Sequence, residues 1–213
     1  SGVTWQIVSP ATAGVPAAGQ IWDVVVQGGG PSGQGIVDIC GDVGHLRSTD
    51  GGTTWTGGTG LPTGRCSIAV SPDESYVLFV VASDNNVYES DDAGATWTNL
   101  GQNSPQGRIP FVVTNQRAND GTRNRFDLWY SDTQLFSADC TTPATPAQGG
   151  ANRCPAAGTW TNQQAGAHWD AGDLVFDSAA TVDACPRIYT TDGGAHRNTD
   201  LGADCQNPNW VRS

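Results

Sequence analysis

The chain has 213 residues, a formal charge of −11 and ten cationic side chains, all of them arginine. Its arginines are scattered and its net field repels a phosphate backbone, which excludes nucleic acid as a partner. No apolar run approaches the roughly 20 residues that a bilayer span needs, which excludes a helical membrane protein.

Twenty-eight glycines, twelve prolines and a charged fraction of 15% mark a loop- and turn-rich chain, long enough for one domain or two. It opens with neither an initiator methionine nor a charged-then-apolar leader, and reads as a mature processed form or a piece of something longer. Gly2-Val3-Thr4-Trp5 then matches the tail of a motif that recurs downstream. Ile21 to Val26 is β-branched and predicts a strand. Ser48-Thr49-Asp50-Gly51-Gly52-Thr53-Thr54-Trp55 is the first full copy of the motif, Ser-x-Asp-x-Gly-x-Thr-Trp. Cys66 to Val70 and Tyr76 to Val81 predict two further strands, and Ser90-Asp91-Asp92-Ala93-Gly94-Ala95-Thr96-Trp97 repeats the motif 42 residues after the first.

Ile109 to Val113 and Phe126 to Tyr130 predict the next pair of strands. A third, interrupted motif starts at Ser137-Ala138-Asp139-Cys140 and resumes at Gly158-Thr159-Trp160, with a Pro/Gly/Ala-rich insert between. Asp173 to Phe176 and Arg187 to Thr190 precede a fourth copy, from Asn198-Thr199-Asp200-Leu201-Gly202 to Trp210. A second aspartate stands seven or eight residues before each motif aspartate: Asp42, Asp84, Asp132 and Asp192. About four short strands per unit follow, joined by Gly, Asn, Asp and Pro turns, over units of approximately 6–55, 56–97, 98–160 and 161–210 in one domain, 1–213. No useful helical periodicity occurs.

Six cysteines (Cys40, Cys66, Cys140, Cys154, Cys185 and Cys205) include no C-x-x-C and no histidine at zinc spacing, so disulfides are expected. Sequence alone leaves the connectivity open. Nearest-neighbour pairing is the working expectation, with Cys140 to Cys154 pinching the insert shut. Paired cysteines imply an oxidising compartment, extracellular or periplasmic.

The motif resembles the Asp-box, or bacterial neuraminidase, repeat of β-propellers such as sialidases, xyloglucan-cleaving hydrolases, sortilin-type receptor domains and several lectins. The resemblance implies an all-β propeller of about four four-stranded blades, with each box a hairpin between the third and fourth strands. The residue chemistry agrees, since a turn aspartate accepts nearby backbone N–H groups, glycine supplies φ > 0 and tryptophan packs between sheets. Asp50, Asp92, Asp139 and Asp200, with Trp55, Trp97, Trp160 and Trp210, are therefore expected to be structural. The strand count suggests a segment of a larger ring, completed by a second chain or left open with an apolar face uncovered.

Trp22 to Gly30, Gly35-Ile36-Val37 and Gly41 to Arg47 together resemble the opening blade of family 74 xyloglucan hydrolases, in which a Thr-Asp-(Val/Ile)-Gly-Gly segment carries one catalytic carboxylate. That resemblance puts Asp42 at the acid/base position, with departures at Cys40-Gly41 and His45. Glycoside hydrolysis takes two carboxylates roughly 5 to 10 Å apart, and Asp192 is the nearest internal echo. A repeated turn aspartate accounts equally for Asp42, Asp84, Asp132 and Asp192. Arg108-Ile109-Pro110 resembles the sialidase Arg-Ile-Pro motif, but Gly64-Arg65 occupies the same register one unit earlier, and no tyrosine nucleophile with a glutamate partner is recognisable.

His168-Trp169-Asp170-Ala171-Gly172-Asp173 reads either as a calcium site, with Asp170, Asp173 and Asp177 as oxygen ligands, or as a strand entry; no known calcium-loop spacing matches, which favours the second. No other cofactor is implied. Trp22, Trp129 and Trp169 are the tryptophans left over by the repeat, and with Arg108 they are the candidate sugar contacts. The resulting expectation is a secreted propeller that engages a polysaccharide or glycan, hydrolase-like or lectin-like. The alternative is a non-catalytic protein-interaction or assembly scaffold of the sortilin-domain kind.

Overall fold

A computed structural model describes residues 19–29, 33–102, 111–116, 124–131, 133–164, 170–176, 186–199 and 208–212. The described residues form four antiparallel sheets of four strands each, and no helix. The first sheet holds β1 (Ile21–Gln27), β2 (Ile36–Gly41), β3 (Gly44–Ser48) and β4 (Thr56–Gly57), side by side in chain order. The second holds β5 (Ser67–Val70), β6 (Leu78–Val81), β7 (Val87–Ser90) and β8 (Thr98–Gly101) in the same order. The third holds β9 (Phe111–Gln116), β10 (Asn124–Ser131), β11 (Leu135–Thr142) and β12 (Thr161–Asn162), and the fourth β13 (Ala171–Phe176), β14 (Pro186–Thr191), β15 (Gly194–Asn198) and β16 (Trp210–Arg212). Strands such as β1, β6, β9 and β10 are short runs rich in β-branched or aromatic residues, and the turns between strands carry Gly, Asn, Asp, Ser or Pro, so no segment is long enough to favour a helix.

The sheets follow one another through their first strands, with β1 against β5, β5 against β9 and β9 against β13. These strands run parallel. Ser67 Oγ and the Ile68 N–H at the start of β5 both donate to Asp23 Oδ2 at 2.9 Å, the Val112 N–H donates to Ser67 Oγ at 3.3 Å, and the Thr114 hydroxyl donates to the Val70 carbonyl. Four up-and-down sheets whose inner strands stand side by side form a β-propeller segment.

A separate apolar cluster fills each gap between sheets. Cys40, Cys66, Ile68, Val80 and Tyr88, with Val25 and Trp97, lie between the first two. Phe79, Leu100, Phe126, Tyr130, Phe136 and Trp160 lie between the second and third. Trp129, Leu135, Leu174, Tyr189 and Trp210, with Phe176, lie between the third and fourth. Disulfides Cys40–Cys66 and Cys140–Cys154 are formed, while Cys185 and Cys205 lie outside the described residues. The first bridges two sheets, and the second closes the insert.

The two uninterrupted motifs fold alike as β3–β4 and β7–β8 turns. Ser48 Oγ donates to Asp50 Oδ1 at 2.8 Å and accepts the Gly52 N–H at 2.8 Å, while the Thr54 N–H and hydroxyl donate to the two oxygens of Asp50 at 2.8 and 2.7 Å. Ser90, Asp92, Gly94 and Thr96 repeat this set at 2.8, 2.8, 2.9 and 2.6 Å. These bonds favour the charged carboxylate. The Thr54 N–H and hydroxyl, with Ser48, hold Asp50 down to about 2. At Asp92 the desolvation that pushes upward is outweighed by bonds from Thr96 and Ser90, which leave its pKa below the usual carboxylate range.

The interrupted motif departs from expectation. Asp139 lies inside β11, opposite Asp127, and its exposed carboxylate pairs with Arg125. The strand runs on to Thr142 because the insert that follows is tied down elsewhere: the Thr141 N–H donates to the Arg153 carbonyl at 3.0 Å and the Ala157 N–H to the Leu100 carbonyl at 2.7 Å. Trp160 then rejoins the pattern just before β12, buried, with Nε1 donating to the Pro155 carbonyl at 3.0 Å. Trp210 opens β16, buried, with Nε1 on the Gln163 carbonyl at 3.0 Å. Asp200 and Trp5 lie outside the described residues.

Candidate functional site

Because the inner strands are parallel and each sheet is antiparallel, the turns between second and third strands all lie on one rim of the segment, and the two motif turns lie on the other. Asp42, Asp84 and Asp192 therefore share a rim, though they differ in what they do there. Asp132 lies outside the described residues.

Asp42 sits at the tip of the β2–β3 turn, whose close is made by Gly44 at φ +76°. The preceding Gly41 admits Gln20 against its backbone, since a Cβ there would meet the Gln20 carbonyl oxygen at 2.1 Å. That approach lets the Asp42 N–H donate to the Gln20 carbonyl at 2.9 Å, while the Gln20 N–H donates to Asp42 Oδ2 at 2.9 Å and Trp22 Nε1 to Asp42 Oδ1 at 3.4 Å. A register shift between Ile21 and Asp23 places Trp22 at a bulge of β1, 45% exposed. Bulges re-aim side chains in this way.

The Arg65 guanidinium stands 5.5 Å from the centroid of the Trp22 ring, a cation–π distance. Arg65 reaches this place because its neighbour Cys66 is bonded to Cys40, next to Gly41, and the Gly64 N–H donates to the Gly41 carbonyl at 3.0 Å. An exposed indole, a carboxylate and a guanidinium are thus gathered on one disulfide-braced corner. Sequence reasoning names Trp22 and Asp42 but takes Arg65 as a feature of strand entry; only the Cys40–Cys66 bridge points to its place here.

The other aspartates of the rim are engaged differently. Asp84 accepts the Asn86 N–H at 3.1 Å, Asn86 Nδ2 at 2.8 Å and the Tyr88 hydroxyl at 2.8 Å, a turn-closing use. Burial, and then the Asp84 carboxylate, push Tyr88 up to about 12. Asp192, exposed in the fourth sheet, repeats the backbone part of the Asp42 geometry, its N–H donating to the Asp170 carbonyl at 3.2 Å. The residue at the place of Trp22 is Gly172, so that position brings no indole to it.

Trp129 is fully buried, with Nε1 donating to Asn115 Oδ1 at 2.6 Å and its ring against Phe176, and is a core residue rather than a sugar contact. Arg108, His168, Trp169 and Asp177 lie outside the described residues. Asp170, at φ +66°, donates its N–H to the Thr133 carbonyl at 3.0 Å, and Asp173 Oδ1 accepts the Leu174 N–H at 2.7 Å, as in a strand entry. No group of three His, Cys, Asp or Glu side chains converges as a metal site among the described residues.

Two cavities lie elsewhere. One, of about 590 Å³, is lined by the insert between Thr141 and Arg153 and is open to solvent. The other, of about 320 Å³, lies between the two motif turns beside His45, Arg47 and Asp92. Behind it Asp38, fully buried, accepts His45 Nε2 at 3.0 Å and Arg47 Nη1 at 3.1 Å, a closed charge cluster that joins β2 to β3.

No family model matches the chain, and no curated protein matches it. Among solved structures it is similar to the crystal structure of the GH74 xyloglucanase from Xanthomonas campestris, with 19% identity and a TM-score of 0.40 over 90% of this chain and 31% of that one. The chain thus spans less than a third of that protein's length.

Proposed function

We propose that this propeller segment engages carbohydrate at the corner formed by Trp22, Asp42 and Arg65, in an extracellular or periplasmic setting suited to its disulfides. The observation that carries the reading is the fixed, half-exposed indole of Trp22, bonded at Nε1 to Asp42 and flanked by Arg65. An indole face is a stacking surface for the apolar side of a pyranose. Asp42 at its edge and the Arg65 guanidinium over one face of the ring supply the acceptors and donors that sugar hydroxyls pair with, which leaves the other face for stacking. Little order remains to be imposed on binding, because the bulge, the Gln20–Asp42 bonds and the Cys40–Cys66 bridge already hold the three side chains.

The resemblance to family 74 hydrolases adds a finer reading, in which Asp42 transfers a proton to or from a glycosidic oxygen. A binding surface needs only the corner, whereas a hydrolase needs a second carboxylate across the bond. A glycan array together with a reducing-sugar assay on β-glucans separates the two. Turnover that is lost in Asp42→Asn, with folding and binding intact, supports the hydrolase; binding without turnover supports a lectin-like surface; no response in either assay contradicts both. A scaffold role draws on a different surface, the uncovered face of the fourth sheet.

A further inference from the structure

Each of the first three sheets turns one cross-strand row of side chains toward the sheet that follows it. The row is Val25, Asp38 and Arg47 in the first sheet, Ala69, Phe79 and Glu89 in the second, and Val113, Trp129 and Ser137 in the third. Asp38, Arg47, Phe79, Glu89, Trp129 and Ser137 are all buried there. The fourth sheet carries the same row as Val175, Ile188, Arg197 and Val211, but Val175 is 47%, Ile188 42% and Val211 41% exposed, and Arg197 is exposed as well. Its opposite face, through Leu174, Tyr189 and Phe176, already packs on the third sheet.

The correspondence extends to single atoms. The register shift at Ile21/Asp23 recurs at Ala171/Asp173. The Val24 N–H donates to Asp23 Oδ1 at 2.8 Å, and the Leu174 N–H to Asp173 Oδ1 at 2.7 Å. In the first sheet the other oxygen, Asp23 Oδ2, takes the Ser67 hydroxyl and the Ile68 N–H of the next inner strand, and Arg47 Nη2 donates to the Ser75 carbonyl in the loop beyond it at 2.9 Å. Asp173 Oδ2 and the Arg197 guanidinium have no such partners among the described residues.

We propose that the fourth sheet is a docking face for one further blade-opening strand, whose first residue bears a hydroxyl and whose second offers an uncommitted backbone N–H, both donated to Asp173 Oδ2. Apolar side chains of that blade cover Val175, Ile188 and Val211, and a carbonyl of its first loop meets Arg197. The strand β1, from the same molecule or a second copy, is the wrong occupant. Its residue at the place of Ser67 is Asp23, so two carboxylates would oppose each other, and its Val24 N–H is already held by Asp23 Oδ1.

The test uses a labelled hairpin peptide of residues 64–82 with Cys66→Ser, which opens on Ser67-Ile68 as the occupant must, titrated against the full chain by fluorescence anisotropy. Saturable binding is expected, weakened about tenfold by Asp173→Ala or by Arg197→Ala in the chain, weakened at least as far by Ser67→Asp in the peptide, and unchanged by Trp22→Ala, which separates this face from the sugar-binding corner. Thermal melts of both chain variants, whose altered side chains are exposed, check that the fold persists. Absence of binding at about 1 mM peptide, binding indifferent to Asp173, or dimerisation of the chain that Asp173→Ala abolishes would each overturn the proposal.

Discussion

The two carboxylate oxygens of Glu89 on β7 take the backbone N–H of Arg153 at 2.5 Å and that of Cys154 at 3.2 Å, so that a strand of the second sheet holds the insert of the third. The Arg153 side chain returns the contact through Nε and Nη2 to Glu74 at 2.8 and 2.9 Å. This clamp replaces the short serine–aspartate turn that the first two sheets use.

Burial drives Glu89 up to about 7, against the Arg153 and Cys154 N–H groups and the Arg153 charge, with Asp91 adding to the rise. The folded state therefore holds this proton more tightly than the unfolded chain, whose value is the ordinary 4.5. Its contribution to stability is complete at low pH and declines as pH rises through that window, by roughly 3 kcal/mol in all. Urea midpoints between pH 5 and pH 8 should show this decline in the native chain and a flatter profile in Glu89→Gln. Asp92 and Glu74 act oppositely. Burial pushes each upward but is outweighed, at Glu74 by Arg153 and Tyr76, and their contributions fade as pH falls below the carboxylate range.

Arg153→Ala leaves the Glu74 carboxylate buried without its cation, and both side chains are only 2% exposed. The expected loss is about 3–5 kcal/mol, the range for one partner removed from a buried pair. Chemical denaturation should also find that Glu74→Gln combined with Arg153→Ala costs less than the two separate losses added together. Additivity would mean that the pair does not couple.

Gly52 and Gly94 occupy matching places in the two motif turns, at φ +91° and +87°. A Cβ at Gly52 meets only the Trp55 ring, at 3.6 Å, whereas one at Gly94 would lie 2.0 Å from His45 Cε1. Gly52→Ala should therefore cost only the positive-φ penalty, about 1–2 kcal/mol. Gly94→Ala should cost clearly more, because His45 is buried and bonded to Asp38. Equal losses on denaturation would contradict the His45 contact.

Much of the strand pattern and both uninterrupted turns were legible in the sequence, because the side-chain bonds that close the turn run among Ser48, Asp50, Gly52 and Thr54, within the motif itself. The anchoring of the third unit's insert was not, since the residues that hold it, Glu74 and Glu89, lie four strands and more upstream. Trp22 and Trp129 look alike in sequence, yet one stands at a bulge on the rim and the other faces the fourth sheet. Strand spacing gives neither outcome, because one depends on a register shift against β2 and the other on packing against the fourth sheet. Arg65 was hidden because its place depends on the Cys40–Cys66 bridge.

Removing the Cys40–Cys66 bridge by Cys40→Ala with Cys66→Ala should cost about 2–4 kcal/mol. It should also free Arg65 from Trp22, shifting the indole emission of the corner toward that of a solvated tryptophan. Lost stability with unchanged emission would mean that the bridge does not position Arg65.

The most direct measurement is calorimetric titration of the native chain and of Trp22→Ala with β-glucan oligosaccharides. Saturable binding by the native chain, weakened at least about tenfold in the variant as expected for loss of one stacking surface, is the predicted result. Absence of binding by the native chain, or equal affinity in both, would contradict carbohydrate engagement at the Trp22–Asp42–Arg65 corner.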